Sequence, residues 1–189
     1  TNGAILIRDG KIASIGAGIS IPEDAQVIDA MDGVVMPGLV DARSLRPVRG
    51  DLNEQSNEIT PTFHISLAID PNSKELKQTL QFGTTTLYAP PGERNLIAGY
   101  GVVIKPVGKT ASDMIVRDEA ALHLTMGSAS TRGNRMPRYG RPDSFYYRRP
   151  TTRMAVAWML RKSFFDARQP DGQPSQEDPA MEVLRAAAR

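Results

Sequence analysis

The sequence contains no cysteine, which excludes disulfide bonds, thiolate metal ligands and cysteine nucleophiles. It also lacks any apolar run near the ~18 residues that a membrane helix needs, and its start lacks the basic segment and apolar core of a signal peptide. We therefore expect no membrane partner, and the compartment stays open. Histidine occurs only twice, as His64 and His123. We interpret each as a hydrogen-bonded structural residue, because a single imidazole does not make a metal site.

The overall composition is that of a globular protein, since 40% of the 189 residues are hydrophobic and 23% are charged. The net charge of +2 is small, so the overall field gives no reason to expect a nucleic-acid partner. Positive charge is nevertheless concentrated between residues 128 and 149, where aromatic side chains are interleaved with arginines: Arg132, Arg135, Arg138, Arg141, Arg148 and Arg149. We interpret this segment first as a protein interface or an inward-packed loop, then as an anion site, and last as a nucleic-acid groove.

The first 36 residues predict a small antiparallel β unit. Two β-prone runs, 4–7 and 12–15, flank the pair Asp9-Gly10, which is the strongest short-range signal for a hairpin. A further short strand is predicted over residues 26–29. Such a unit buries too little surface to be stable by itself, so we expect later strands or another chain to complete it.

The stretch from Val34 to Leu45 predicts a strand that delivers residues to a site, because an apolar run enters a Pro-Gly turn and then ends in charge. Asp41 and Arg43 are the catalytic candidates at its end. Beyond it, a strand over 63–69, a helix over 72–82 and a strand over 84–89 are typical of a βαβ unit in a parallel sheet. Further short strands are predicted over 102–105 and 121–126.

Two helices are predicted near the C-terminus. In the first, over residues 151–167, Met154, Trp158 and Phe165 fall on one side at helical spacing, interrupted by Arg161, and this stripe is predicted to face the core. The second begins at Asp178, with an acid at its cap and a proline in its first turn.

Three segments together resemble the opening of the amidohydrolase superfamily: Asn2-Gly-Ala-Ile-Leu-Ile-Arg-Asp-Gly-Lys-Ile-Ala-Ser-Ile-Gly16, Val27-Ile-Asp29 and Val35-Met-Pro-Gly-Leu-Val-Asp41. Later pieces resemble a less characterised branch of amidohydrolase-like proteins: 53–55, 60–61, 83–86, 101–105 and 150–154. The resemblance implies an α/β fold with a small N-terminal β-sandwich portion, residues 1–36, followed by an incomplete (β/α)8 TIM-like barrel, residues 37–189. A full barrel takes about 250 residues, and this chain holds fewer.

In the family that the chain resembles, the first barrel strand ends in Asp-x-His-x-His, and the two histidines bind a catalytic divalent metal. Asp41 matches this motif, but Arg43 and Leu45 stand at the two histidine positions. A guanidinium is permanently positive and leucine has no lone pair, so neither can ligate a cation. We therefore expect no metal or other cofactor in this chain.

These observations lead to two hypotheses. The first is an amidohydrolase-like subunit that has lost the first-strand metal ligands and serves as a structural or assembly partner of another amidohydrolase-like chain, which completes the barrel. The alternative is an active C–N bond hydrolase whose site is completed by another chain or by the rest of a longer polypeptide. In that case Arg43 would bind an anionic substrate. Zinc or another divalent metal is expected only under this alternative.

Overall fold

A computed structural model describes residues 3–31, 33–54, 56–132, 149–169 and 178–189. The chain divides into two compact units, Thr1–Pro37 and Gly38–Arg189. Together the described residues form a mixed α/β structure, which agrees with the predicted class at that level. Assignment of the two units to a β-sandwich and an incomplete barrel stays a prediction.

The N-terminal unit is built on a hairpin of β1 (Ala4–Arg8) and β2 (Lys11–Gly16). Arg8 pairs with Lys11, so Asp9 and Gly10 alone make the turn, with φ values of 50° and 69°. Positive φ at both positions is what a type I′ turn needs, and the predicted hairpin is confirmed. The strand predicted over 26–29 is wrong, because those residues are irregular.

The larger unit contains a four-stranded sheet in the order β3-β4-β5-β6. Its strands are β3 (Leu39–Asp41), β4 (Thr84–Ala89), β5 (Ile97–Ile104) and β6 (Ile115–Leu124). β3 and β4 are parallel, whereas β4 with β5 and β5 with β6 are antiparallel. The βαβ unit predicted from residues 63–89 is wrong, because the parallel partner of β4 is β3 and not residues 63–69. The two short strands predicted over 102–105 and 121–126 overlap the C-terminal ends of β5 and β6, which form a long antiparallel pair.

The strand predicted over residues 63–69 is wrong, because Ile65–Ala68 forms a 3-10 helix. Within this helix the adjacent residues Ile65 and Ser66 are both buried and Leu67 is exposed, so burial does not alternate as it would along a strand. The strand predicted over 34–45 is shortened to its three residues Leu39–Asp41.

Helices flank the sheet. They are α1 (Lys74–Gln81), α2 (Ala111–Met114), α3 (Arg153–Arg168) and α4 (Pro179–Ala187). The predicted helices over 72–82, 151–167 and from 178 are confirmed, and the Asp178 carboxylate accepts from the Ala180 N–H at 2.9 Å, as expected of a cap. None of the helices that the structure describes is long and apolar enough to cross a membrane.

The core of the larger unit consists of two clusters. One joins β4, β5 and α1: Val48, Ile65, Ile69, Leu76, Leu87, Ala89, Val102, Ile104 and Met114. The other joins the start of β5 to α3 and α4: Leu96, Ile97, Val156, Leu160, Ala167 and Leu184. α3 is therefore held by residues of its own inward face, and the predicted core stripe of Met154, Trp158 and Phe165 is wrong, because all three are exposed.

Candidate functional site

The candidate site lies where β3 ends beside β4. Asp41 pairs with Leu87 across the parallel ladder, and the Ser44 N–H donates to the Tyr88 carbonyl at 2.8 Å, so the residues after β3 stay close to β4. The Asp41 Oδ1 atom accepts from the Arg43 N–H at 3.0 Å. One carboxylate oxygen of Asp41 is thus used to shape the turn that presents Arg43.

Arg43 forms an ion pair with Glu93, which follows the Pro-Pro-Gly turn after β4. The loop that contains Leu52 and Asn53 anchors that turn, because the Gly92 N–H donates to the Leu52 carbonyl at 3.0 Å and the Arg94 N–H donates to Asn53 Oδ1 at 2.9 Å. The segments that follow β3 and β4 thus bring the opposite charges of Arg43 and Glu93 together. Sequence reasoning missed Glu93, because a partner 50 residues away in a loop has no periodic signal.

His123 of β6 also lies within electrostatic reach of Arg43. Burial lowers the pKa of His123 below its usual value, and the positive charge of Arg43 lowers it further. The structure thus brings His123 into the neighbourhood of the predicted site residue Arg43, which the sequence alone did not indicate. A neutral imidazole beside a paired guanidinium is the state that these two influences favour.

Ser44 and Leu45 complete the segment. Ser44 is 4% exposed, and its hydroxyl has no hydrogen-bond partner among the described residues. Leu45 is 45% exposed and offers no donor atom. The segment after Asp41 therefore supplies one cation, one buried hydroxyl and one aliphatic side chain.

The other histidine, His64, stands apart in a second polar cluster. Its Nδ1 lies 4.0 Å from Asp118 Oδ1, its Nε2 lies 3.7 Å from Glu119 Oε1, and its ring is tilted against that of Tyr100. Asp118 also accepts from the Ser66 hydroxyl at 3.0 Å. Both nitrogen-to-oxygen distances are longer than a hydrogen bond, and each contact is an ion pair only when the imidazole is protonated. The hydrogen-bonded structural role predicted for His64 therefore stays a prediction. Burial, and secondarily Glu119, raises the pKa of Tyr100.

The basic segment is described only at its two ends. The Arg132 N–H donates to the Ala129 carbonyl at 3.3 Å at the end of a 3-10 helix, and the Arg149 N–H donates to Glu58 Oε1 at 2.9 Å. Arg135, Arg138, Arg141 and Arg148 lie outside the described residues. An anion or partner contact by these arginines stays a prediction.

The chain is similar in sequence to an amidohydrolase and, over a short stretch, to dihydroorotases. Amidohydrolase tasK of Hapsidospora irregularis is 26% identical over 186 residues, which cover 88% of this chain and 18% of that protein. The dihydroorotase of Mycobacterium leprae (strain TN) is 60% identical over 37 residues, or 20% of this chain and 9% of that protein. No protein-family model matches the chain.

A solved structure is similar to this chain over a larger share of its own length. The crystal structure of an amidohydrolase from Thermotoga maritima MSB8 matches with a TM-score of 0.81 and 27% identity, over 95% of this chain and 49% of that chain. The chain is therefore related to the amidohydrolase superfamily. It spans about half the length of this solved relative and less than a fifth of tasK.

The side chains at the end of β3 do not fit a divalent metal. Arg43 is a cation already engaged by Glu93, and Leu45 is aliphatic, so neither position supplies a lone pair. Across the ranges that the structure describes, no three histidine, aspartate or glutamate side chains are grouped closely enough to hold a metal ion. The chemistry that these residues do offer is charge pairing and hydrogen bonding at the end of the strand.

Proposed function

We propose that this chain is a non-catalytic amidohydrolase-like subunit that assembles with another amidohydrolase-like chain. The observation that carries the proposal is Arg43, which stands where the related motif has its first histidine and which forms an ion pair with Glu93 of the same chain. The carboxylate of Glu93 offsets the positive charge that Arg43 would otherwise present to an anionic substrate. The same pairing counts against an active hydrolase that uses Arg43 to bind substrate.

Exposed strand surfaces support the assembly role. β3 is three residues long and pairs with β4 alone, while its residues Leu39 and Val40 are 50% and 68% exposed. As an edge strand with exposed apolar side chains, β3 has unpaired backbone groups that a further strand could bind. A strand from an amidohydrolase-like partner would extend the sheet at this edge.

The N-terminal unit supports the same role by a separate route. Its hairpin leaves Ile7, Ile12 and Ile15 between 63% and 67% exposed. A two-stranded hairpin is marginally stable in water, and three or more strands with a shared apolar face are needed for stability. Strands from a partner would cover these isoleucines.

The test is to purify the protein that contains these 189 residues from the cells that produce it, and to identify stoichiometric partners by mass spectrometry. We expect a second chain with an amidohydrolase sequence, and we expect Asp41→Asn to leave any C–N bond hydrolysis by the complex unchanged. Asp166→Asn, which alters a carboxylate paired with Lys162 on α3, is the matched control.

Two results would decide against the proposal. Stoichiometric zinc in this chain, together with loss of hydrolysis in Asp41→Asn but not in Asp166→Asn, would establish an active hydrolase completed by another chain or by further polypeptide. Absence of any amidohydrolase-like chain from the purified material would remove the assembly role.

A further inference from the structure

We draw no further inference here: the strongest candidate, the exposed apolar patch of Met154, Trp158 and Phe165 on α3, carries none because nothing in the structure shows what covers it.

Discussion

The guanidinium of Arg43 and the carboxylate of Glu93 form an ion pair between the loops that follow β3 and β4. The two side chains are 52% and 48% exposed, so solvent screens the pair and its contribution to stability is small. The pair brings opposite charges together at the end of the parallel strands and so offsets the charge of Arg43 there. These effects fit a structural role for the site better than a role in binding an anion.

A double-mutant cycle tests how strongly this pair is coupled. With Arg43→Ala, Glu93→Ala and the double variant, we expect a coupling free energy of about 0.2–1 kcal/mol in urea unfolding, as for other exposed pairs. The pair Lys162 and Asp166 on α3, with side chains 52% and 36% exposed, serves as the reference and should give a similar value. A coupling several times larger than the reference would contradict the screening argument.

The low pKa of His123 makes stability depend on pH in one direction. In the folded chain, burial and secondarily the charge of Arg43 lower the pKa of His123 below its ordinary value of 6.5. The unfolded chain therefore binds the proton more readily, and stability is lost as pH falls through the ordinary value and is retained above it. His123→Gln should remove this part of the pH dependence of the unfolding free energy.

The contribution of Arg43 to that pKa can be measured separately. We expect Arg43→Met to raise the pKa of His123 only part of the way towards its ordinary value, because burial is the larger cause. An NMR titration of the imidazole Cε1 proton measures the shift, and assignment is simple with two histidines in the chain. Arg49→Met, which removes a cation paired with Asp70, should leave the titration unchanged.

Local signals in the sequence predicted the structure well. Asp9-Gly10 determined the hairpin because both residues tolerate positive φ. The start of α4 followed from Asp178 and Pro179, whose side chains favour the first turn of a helix. These features depend on a few adjacent residues, so no tertiary contact is needed to predict them.

Features that depend on distant contacts were predicted less well. α3 has apolar residues on two opposite faces, and periodicity could not decide which face packs against Ile97 and Leu184. The antiparallel pairing of β5 with β6 was missed for a similar reason, since a short β-prone run does not reveal whether its strand pairs in parallel or antiparallel. Asp41 and Arg43 were candidates because of their positions in the motif, and their role stays a prediction, whereas Glu93 and His123 come near Arg43 only through the fold.

Thr152 provides a test of the start of α3. Its Oγ1 atom accepts from the Ala155 N–H at 3.2 Å, which satisfies one of the free N–H groups of the first turn. Thr152→Ala should therefore lower the free energy of unfolding by about 1 kcal/mol, while Thr152→Ser should retain most of it. Thr151→Ala is the matched control, because Thr151 precedes the cap and should change stability by less than about 0.5 kcal/mol. Equal losses in Thr152→Ala and Thr151→Ala would contradict the assignment of the cap.

Gly99 is the position in the sheet where a side chain should be least tolerated. Its φ is +100°, and a Cβ atom would overlap the Phe63 carbonyl group, whose carbon would lie at 2.8 Å. The Tyr100 N–H donates to that same carbonyl at 2.7 Å, so the backbone of Phe63 is held in place. Gly99→Ala should therefore cost at least about 3 kcal/mol in denaturant unfolding, the sum of backbone strain and steric overlap. Gly127→Ala, at an extended residue with φ of −85° and open space around it, should be neutral or stabilising by up to about 1 kcal/mol. A Gly99→Ala protein as stable as Gly127→Ala would show that β5 does not approach Phe63 as closely as described.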